Sequence, residues 1–133
     1  FGACSAHWLS QHPLPDLAGW AAVEDPDVRL PTALAELYGW FDRGAEMLEK
    51  TTRDASLVPA MRAPVEAMGA WRSAATEALL RGRPQRGARR RRVRAAIGHA
   101  TSFETWRSLV REQNLDQEAA VALIATLVEA AAA

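Results

Sequence analysis

The sequence predicts an all-α fold, and three observations carry that expectation. Apolar residues recur three and four positions apart along most of the chain, the repeat that lines one face of a helix. No alternating β-branched run, the mark of a half-buried strand, occurs anywhere. Proline, glycine, asparagine and aspartate gather at intervals of helical length, where they stop one helix and start the next.

Taken in order, Phe1, Cys4 and Trp8 are spaced for one face of a short opening helix that stops before Pro13 and Pro15. Residues 13–27, rich in Pro, Asp and Gly, read as a loop. A helix over Val28–Asp42 presents Leu30, Leu34, Leu37 and Phe41, with Pro31 tolerable in its first turn. Gly44 weakens the pattern and is expected to start a shorter helix through Met47, Leu48 and Thr51. The long helix that follows carries Val58, Met61, Val65, Met68, Ala75 and Leu79 on one stripe. Pro59 suits its first turn, whereas Pro64 falls inside it and should bend it or delay its start. Gly82, Pro84 and Gly87 make the next linker.

The last third is the most informative. Ala96, His99, Phe103, Trp106 and Val110 recur at helical spacing, so one helical face is expected to carry all five. Asn114-Leu115-Asp116 interrupts the pattern, and Asp116 is well placed as an N-cap. A second stripe follows at Ala120, Ile124, Leu127 and Ala131, flanked by Val121 and Val128. Two adjacent helices this apolar invite a partner, and a hairpin meeting its own copy gives a four-helix bundle. Trp106, Leu109, Val110, Ala120, Ile124, Leu127 and Val128 are the candidate seam residues of that homodimer.

Composition bounds the answer. A chain of 133 residues can bury about two thirds of its unfolded surface, enough for one core. Hydrophobic residues make up 49%, charged residues 24%, and the formal net charge is zero, an ordinary globular balance with no bias toward polyanions. The longest largely apolar run, Ala119–Val128, is far short of a membrane span, and no signal segment opens the chain. One cysteine, Cys4, excludes an internal disulfide and suits a reducing compartment, so a cytoplasmic protein without membrane partners is expected.

The run Arg94-Ala95-Ala96-Ile97-Gly98-His99-Ala100, with Phe103-Glu104-Thr105-Trp106-Arg107-Ser108-Leu109 and Leu115-Asp116-Gln117-Glu118-Ala119, resembles the C-terminal part of many bacterial TetR/AcrR-type transcriptional repressors. Asp54-Ala55-Ser56-Leu57-Val58-Pro59-Ala60 is similar to the segment leading into their long central helix. Phe1-Gly2-Ala3-Cys4-Ser5-Ala6-His7-Trp8 looks like the helix that leaves their DNA-binding domain, so residues 1–12 correspond to the linking helix. The resemblance rests on spacing and residue type and covers nearly the whole chain. It implies one domain over residues 1–133, a helical bundle whose last two helices form a four-helix dimer interface, and an unidentified small-molecule effector bound between the central helices, with the opening helix, Phe1 to Gln11, packed on that pocket as the mechanical link. It also implies operator DNA as a partner only through an upstream helix-turn-helix that this chain does not contain. The competing reading is a helical homodimeric interaction module without a ligand.

Candidate site residues follow from the same pattern. Tyr38, Trp40, Met47, Met61, Met68, Trp71 and Phe103 supply large, adaptable apolar surface, which is either plain core or, in a ligand-binding domain, the wall of a pocket. Arg72 interrupts the stripe between Met68 and Ala75; it either snorkels to solvent or faces a cavity as partner for an acidic group. His99, on the face of Phe103 and Trp106, is a hydrogen-bonded core residue or a ligand contact. Eight arginines between Arg81 and Arg94 have no acid among them. Without interleaved aromatics they read as a solvated linker and helix start rather than a nucleic-acid surface, although Arg89–Arg92 span every direction of a helix and one must lie near the packed side.

Catalytic patterns are missing. Cys4, Leu9 and Ala96 stand three residues before His7, His12 and His99, so no Glu-x-x-His pair occurs. No His-Glu-x-x-His, Cys-x-x-Cys or phosphate-binding glycine loop is present, and Asp54 and Glu66 have no base or nucleophile at useful spacing. Neither an enzyme nor a cofactor or metal is expected.

Overall fold

A computed structural model describes the backbone of residues 2–133 and the side chains of residues 7–133. The described residues form seven α-helices and no strand: α1 Gly2–Gln11, α2 Leu17–Ala21, α3 Pro26–Asp54, α4 Arg62–Leu80, α5 Gly87–Ala100, α6 Phe103–Arg107 and α7 Gln117–Ala132. The all-α expectation holds. That Phe1 and Cys4 share a face with Trp8 lies outside the described side chains.

Four local expectations change. Residues 13–27 are not all loop, because the Asp16 carboxylate accepts the Ala18 N–H at 3.0 Å and starts α2, which buries Trp20. Helix α3 starts at Pro26 behind an Asp25 cap, so Pro31 falls in the second turn rather than the first. The same helix runs on through Gly44 to Asp54 without the expected break. Glycine is needed there by a neighbour: a Cβ at Gly44 would lie 2.5 Å from the Trp8 ring. Finally, Ala96 to Val110 is not one helix. Thr101 ends α5 and Ser102 caps α6, its Oγ accepting the Thr105 N–H at 3.1 Å, so the shared face is split between two helices.

Other starts and stops follow the sequence. Pro59–Met61 is a 3₁₀ turn and α4 begins only at Arg62, which places Pro64 in its first turn and realises the delayed start. Helix α6 runs into a single π turn, Ser108–Glu112, closed by Gln113 N–H on Ser108 O at 2.8 Å. Asn114 then takes a positive φ of 61°, which asparagine tolerates, and Asp116 caps α7 by accepting the Ala119 N–H at 2.8 Å.

One core joins the helices. Leu30, Leu34, Leu37 and Phe41 of α3 meet Leu79 of α4, Val93 and Ile97 of α5, Trp106 of α6, and Ala120, Ile124 and Val128 of α7. Helices α5 and α7 lie along each other, with α3 on the other side of α7 and α4 against α5. This packing absorbs residues expected at the dimer seam: Trp106, Ala120, Ile124 and Val128 are each at most 3% exposed inside the single chain. Leu109 and Val110 are half-buried, and Leu127 stays 53% exposed, with Leu123 beside it at 41%.

Two arginines bind the fold together through carbonyls. Arg29, buried, donates to Val23 O, Glu24 O, Ala78 O and Arg81 O, closing the C-terminus of α4 onto the start of α3. Arg83 departs from the solvated linker expected of the arginine cluster: its side chain is 3% exposed and donates to Leu79 O, Pro26 O and the Glu129 carboxylate. Arg92 and Gln85 reach the carbonyls of Ala131 and Ala132, so part of the cluster holds the C-terminal end of α7. Arg94 pairs with Glu77, while Arg86, Arg89 and Arg91 are exposed, as a solvated helix start requires.

Candidate ligand-binding site

Packing fails to close in one place. Residues of the C-terminal half of α3, the N-terminal half of α4 and α1 face the same space. A cavity of about 390 Å³ remains. Helix α3 contributes Phe41, Met47, Leu48, Thr51 and Thr52, and α4 contributes Pro64, Val65, Met68, Trp71 and Arg72. Trp8, Leu9 and Leu14 close one side; Thr101, Phe103 and Glu104 at the α5–α6 junction close the other, with Met61 between. The volume falls within the range of small-molecule sites, about 300–1,000 Å³.

Six of the nine candidate ligand residues line this cavity: Met47, Met61, Met68, Trp71, Arg72 and Phe103. The other three do not. Tyr38 is fully buried away from the cavity and donates its hydroxyl to Ala100 O at 2.7 Å, with burial pushing its phenol well above the usual tyrosine range. Trp40 is core, its indole N–H on His12 O at 3.1 Å and its ring against Trp8 and Phe41. His99 is exposed and absent from the cavity wall, its ring nitrogens 3.3 and 3.4 Å from the Thr105 hydroxyl.

Most wall residues absent from the candidate set lie on α3 and α4, among them Leu48, Thr51, Pro64 and Val65, and α1 adds Trp8 and Leu9. Trp8 stacks on His12 with ring centroids 4.8 Å apart, meets Trp40 edge-on, and seats its ring on the bare Cα of Gly44. A glycine inside an otherwise strong helix was the available signal, since it marks a close approach by some other group. Val65 was already on the α4 stripe between Met61 and Met68 and lines the cavity at 42% exposure.

Arg72 is the cationic group of the wall. Its Nη2 donates to Gly98 O at 2.8 Å, across from α4 to the last turn of α5. Its Nε is buried without a hydrogen-bond partner, and none of the ion pairs among the described residues includes it. Both sequence alternatives are thereby refined: the side chain bridges two helices at the cavity wall instead of reaching into solvent.

No group of three or more His, Cys, Asp or Glu side chains that could hold a metal gathers among the described residues, and no helix there is long and apolar enough to cross a membrane. Comparison with protein-family models, curated proteins and solved structures finds no match to the chain.

Proposed function

We propose that the chain is the effector-binding and dimerisation domain of a TetR/AcrR-type transcriptional regulator. The observation that carries the reading is the cavity between α1, α3 and α4, walled by the residue that also seats α1, Trp8. A small apolar or amphipathic molecule in that space touches the helix which, by the resemblance, leads to an upstream helix-turn-helix. An effector that favours one seating of α1 shifts its population by its differential affinity for the two seatings, and DNA affinity changes by the same coupling. Dimer geometry then sets the separation of the two reading helices on a palindromic operator. The outward edge of α7 at Leu123 and Leu127 is the surface offered to the second copy.

Tryptophan fluorescence tests the ligand. Of the five tryptophans, Trp8 and Trp71 line the cavity, whereas Trp20, Trp40 and Trp106 are core. Uncharged apolar ligands should quench the emission of the fragment and raise its melting temperature by mass action. The quench, but not the thermal shift, should vanish in a Trp8→Phe, Trp71→Phe double variant. Quenching that persists there, or no response to any ligand, would leave the plain interaction module as the better account. The reading frame upstream of Phe1 tests the regulator: a helix-turn-helix pattern supports it and a start codon at this point removes it.

A further inference from the structure

We infer that the cavity takes an unbranched amphipathic carboxylate, its head group at Arg72 and its hydrocarbon tail laid along α4. The inference rests on the ligand-binding reading above and names the chemistry of the ligand.

Arginine stays protonated at every accessible pH, so the wall holds a permanent cation. One of its donors is fixed on Gly98 O, which sets the orientation of the guanidinium, while Nε is buried and finds no acceptor among the described residues. A half-buried cation without a counter-charge is destabilising, and a carboxylate answers it with charge-assisted hydrogen bonds. A neutral ligand would leave the charge unanswered.

The rest of the wall selects the tail. Arg72, Met68, Val65 and Met61 are spaced by four, three and four residues, so three apolar side chains follow the guanidinium down one face of α4 and its 3₁₀ lead-in. At a rise of about 1.5 Å per residue, that row extends for roughly 16 Å. Met47 and Leu48 face it from α3, and methionine's unbranched thioether adapts to a flexible chain better than a branched side chain does. Leu9 of α1 and Val65 of α4, 37% and 42% exposed, carry the apolar lining out to solvent. Thr101 and Glu104 disfavour a more highly charged ligand. Thr101 spends its hydroxyl on Gly98 O, and Glu104, exposed at the rim, opposes a second negative charge, so a phosphate monoester or nucleotide would have one cation for two or more charges.

Decanoate and decanol share a tail and differ only in the head, so calorimetry with both, each below its micelle concentration, reads the head-group contribution. The fragment at pH 7 should bind decanoate roughly ten- to hundredfold more tightly than decanol, the range of a hydrogen bond to a charged group. Arg72→Met should remove that advantage, so that decanoate binds no more tightly than decanol, with helical circular dichroism showing that the variant is folded. In the wild type, decanoate binding should weaken as pH falls through the titration of the ligand's carboxyl, while decanol binding stays flat. Equal affinities for the two ligands, or a pH-independent decanoate affinity, would overturn the inference and leave the pocket standing. Binding of neither would overturn the pocket reading itself.

Discussion

At the scale of single residues, the groups that hold this fold are polar side chains in buried places, and they are the least legible in the sequence. Tyr38 is the only tyrosine, fully buried, and hydrogen-bonded to the last carbonyl of α5. Because burial raises its pKa, the neutral phenol stabilises the fold fully below the unfolded value of about 10, and that contribution is lost as pH rises further toward the folded value. Phenolate absorbance should therefore stay silent where free tyrosine titrates and appear only together with loss of helical circular dichroism. An ordinary titration curve in the folded protein would contradict this burial. Tyr38→Phe should cost about 1 kcal/mol, since it strands the Ala100 carbonyl. Arg29 carries a weaker sequence signal: Arg29, Ala33 and Leu37 are four apart and all are buried, but a charge on such a stripe reads as a snorkelling edge. What fills its donors is a set of carbonyls from chain as much as 52 residues away, which no local pattern can announce.

At the scale of elements, caps decided more than periodicity did. Asp116 was legible because a break in the apolar pattern preceded it, and Pro64 because proline has few places to stand. Ser102 was not, since the apolar spacing continues across it while one helix gives way to the next. Gly44 misled for the opposite reason: its low helix propensity is real, and tertiary packing overrides it. A pair of substitutions separates the two effects. Gly69→Ala, in α4 with nothing within 4 Å of the new Cβ, should stabilise the domain by about 0.5–1 kcal/mol. Gly44→Ala should destabilise it despite the same gain in propensity, because the new methyl meets the stiff Trp8 ring. Hydrogen exchange should then report lost protection in α1 with α3 intact. A stabilised Gly44→Ala would mean that Trp8 does not sit on this helix.

For the whole molecule, an apolar stripe says that a surface is covered without saying by what. The stripes of the last two helices exceed what a surface hairpin leaves bare, which pointed to a second copy; much of that surface is instead spent on the chain's own core. The site was legible in its central part, through the methionines, Trp71 and Arg72. At α1 the resemblance implied a helix packed on the pocket, but which of its side chains form the wall depends on where the chain returns in space. On the proposed dimer, ultracentrifugation at micromolar concentration should give a dimer, and Leu127→Arg should weaken or abolish it by placing an unpaired charge in the seam. Since Leu127 is 53% exposed in the single chain, the variant's helical content should be unchanged. A folded, monomeric wild type would sink the dimer.

The seat of Trp8 on Gly44 also has a kinetic consequence. Trp8 is at once part of the cavity wall and the anchor of α1, so a tail that lies against that wall should couple its entry to a displacement of α1. Ligand association in stopped flow should then level off at high concentration, at the rate of that displacement, and residence times should be long for a ligand of modest affinity. Loosening the anchor through Gly44→Ala should raise the plateau and shorten the residence time together, so the exchange clock of the site is set by one missing methyl group 36 residues away from the ring that covers it.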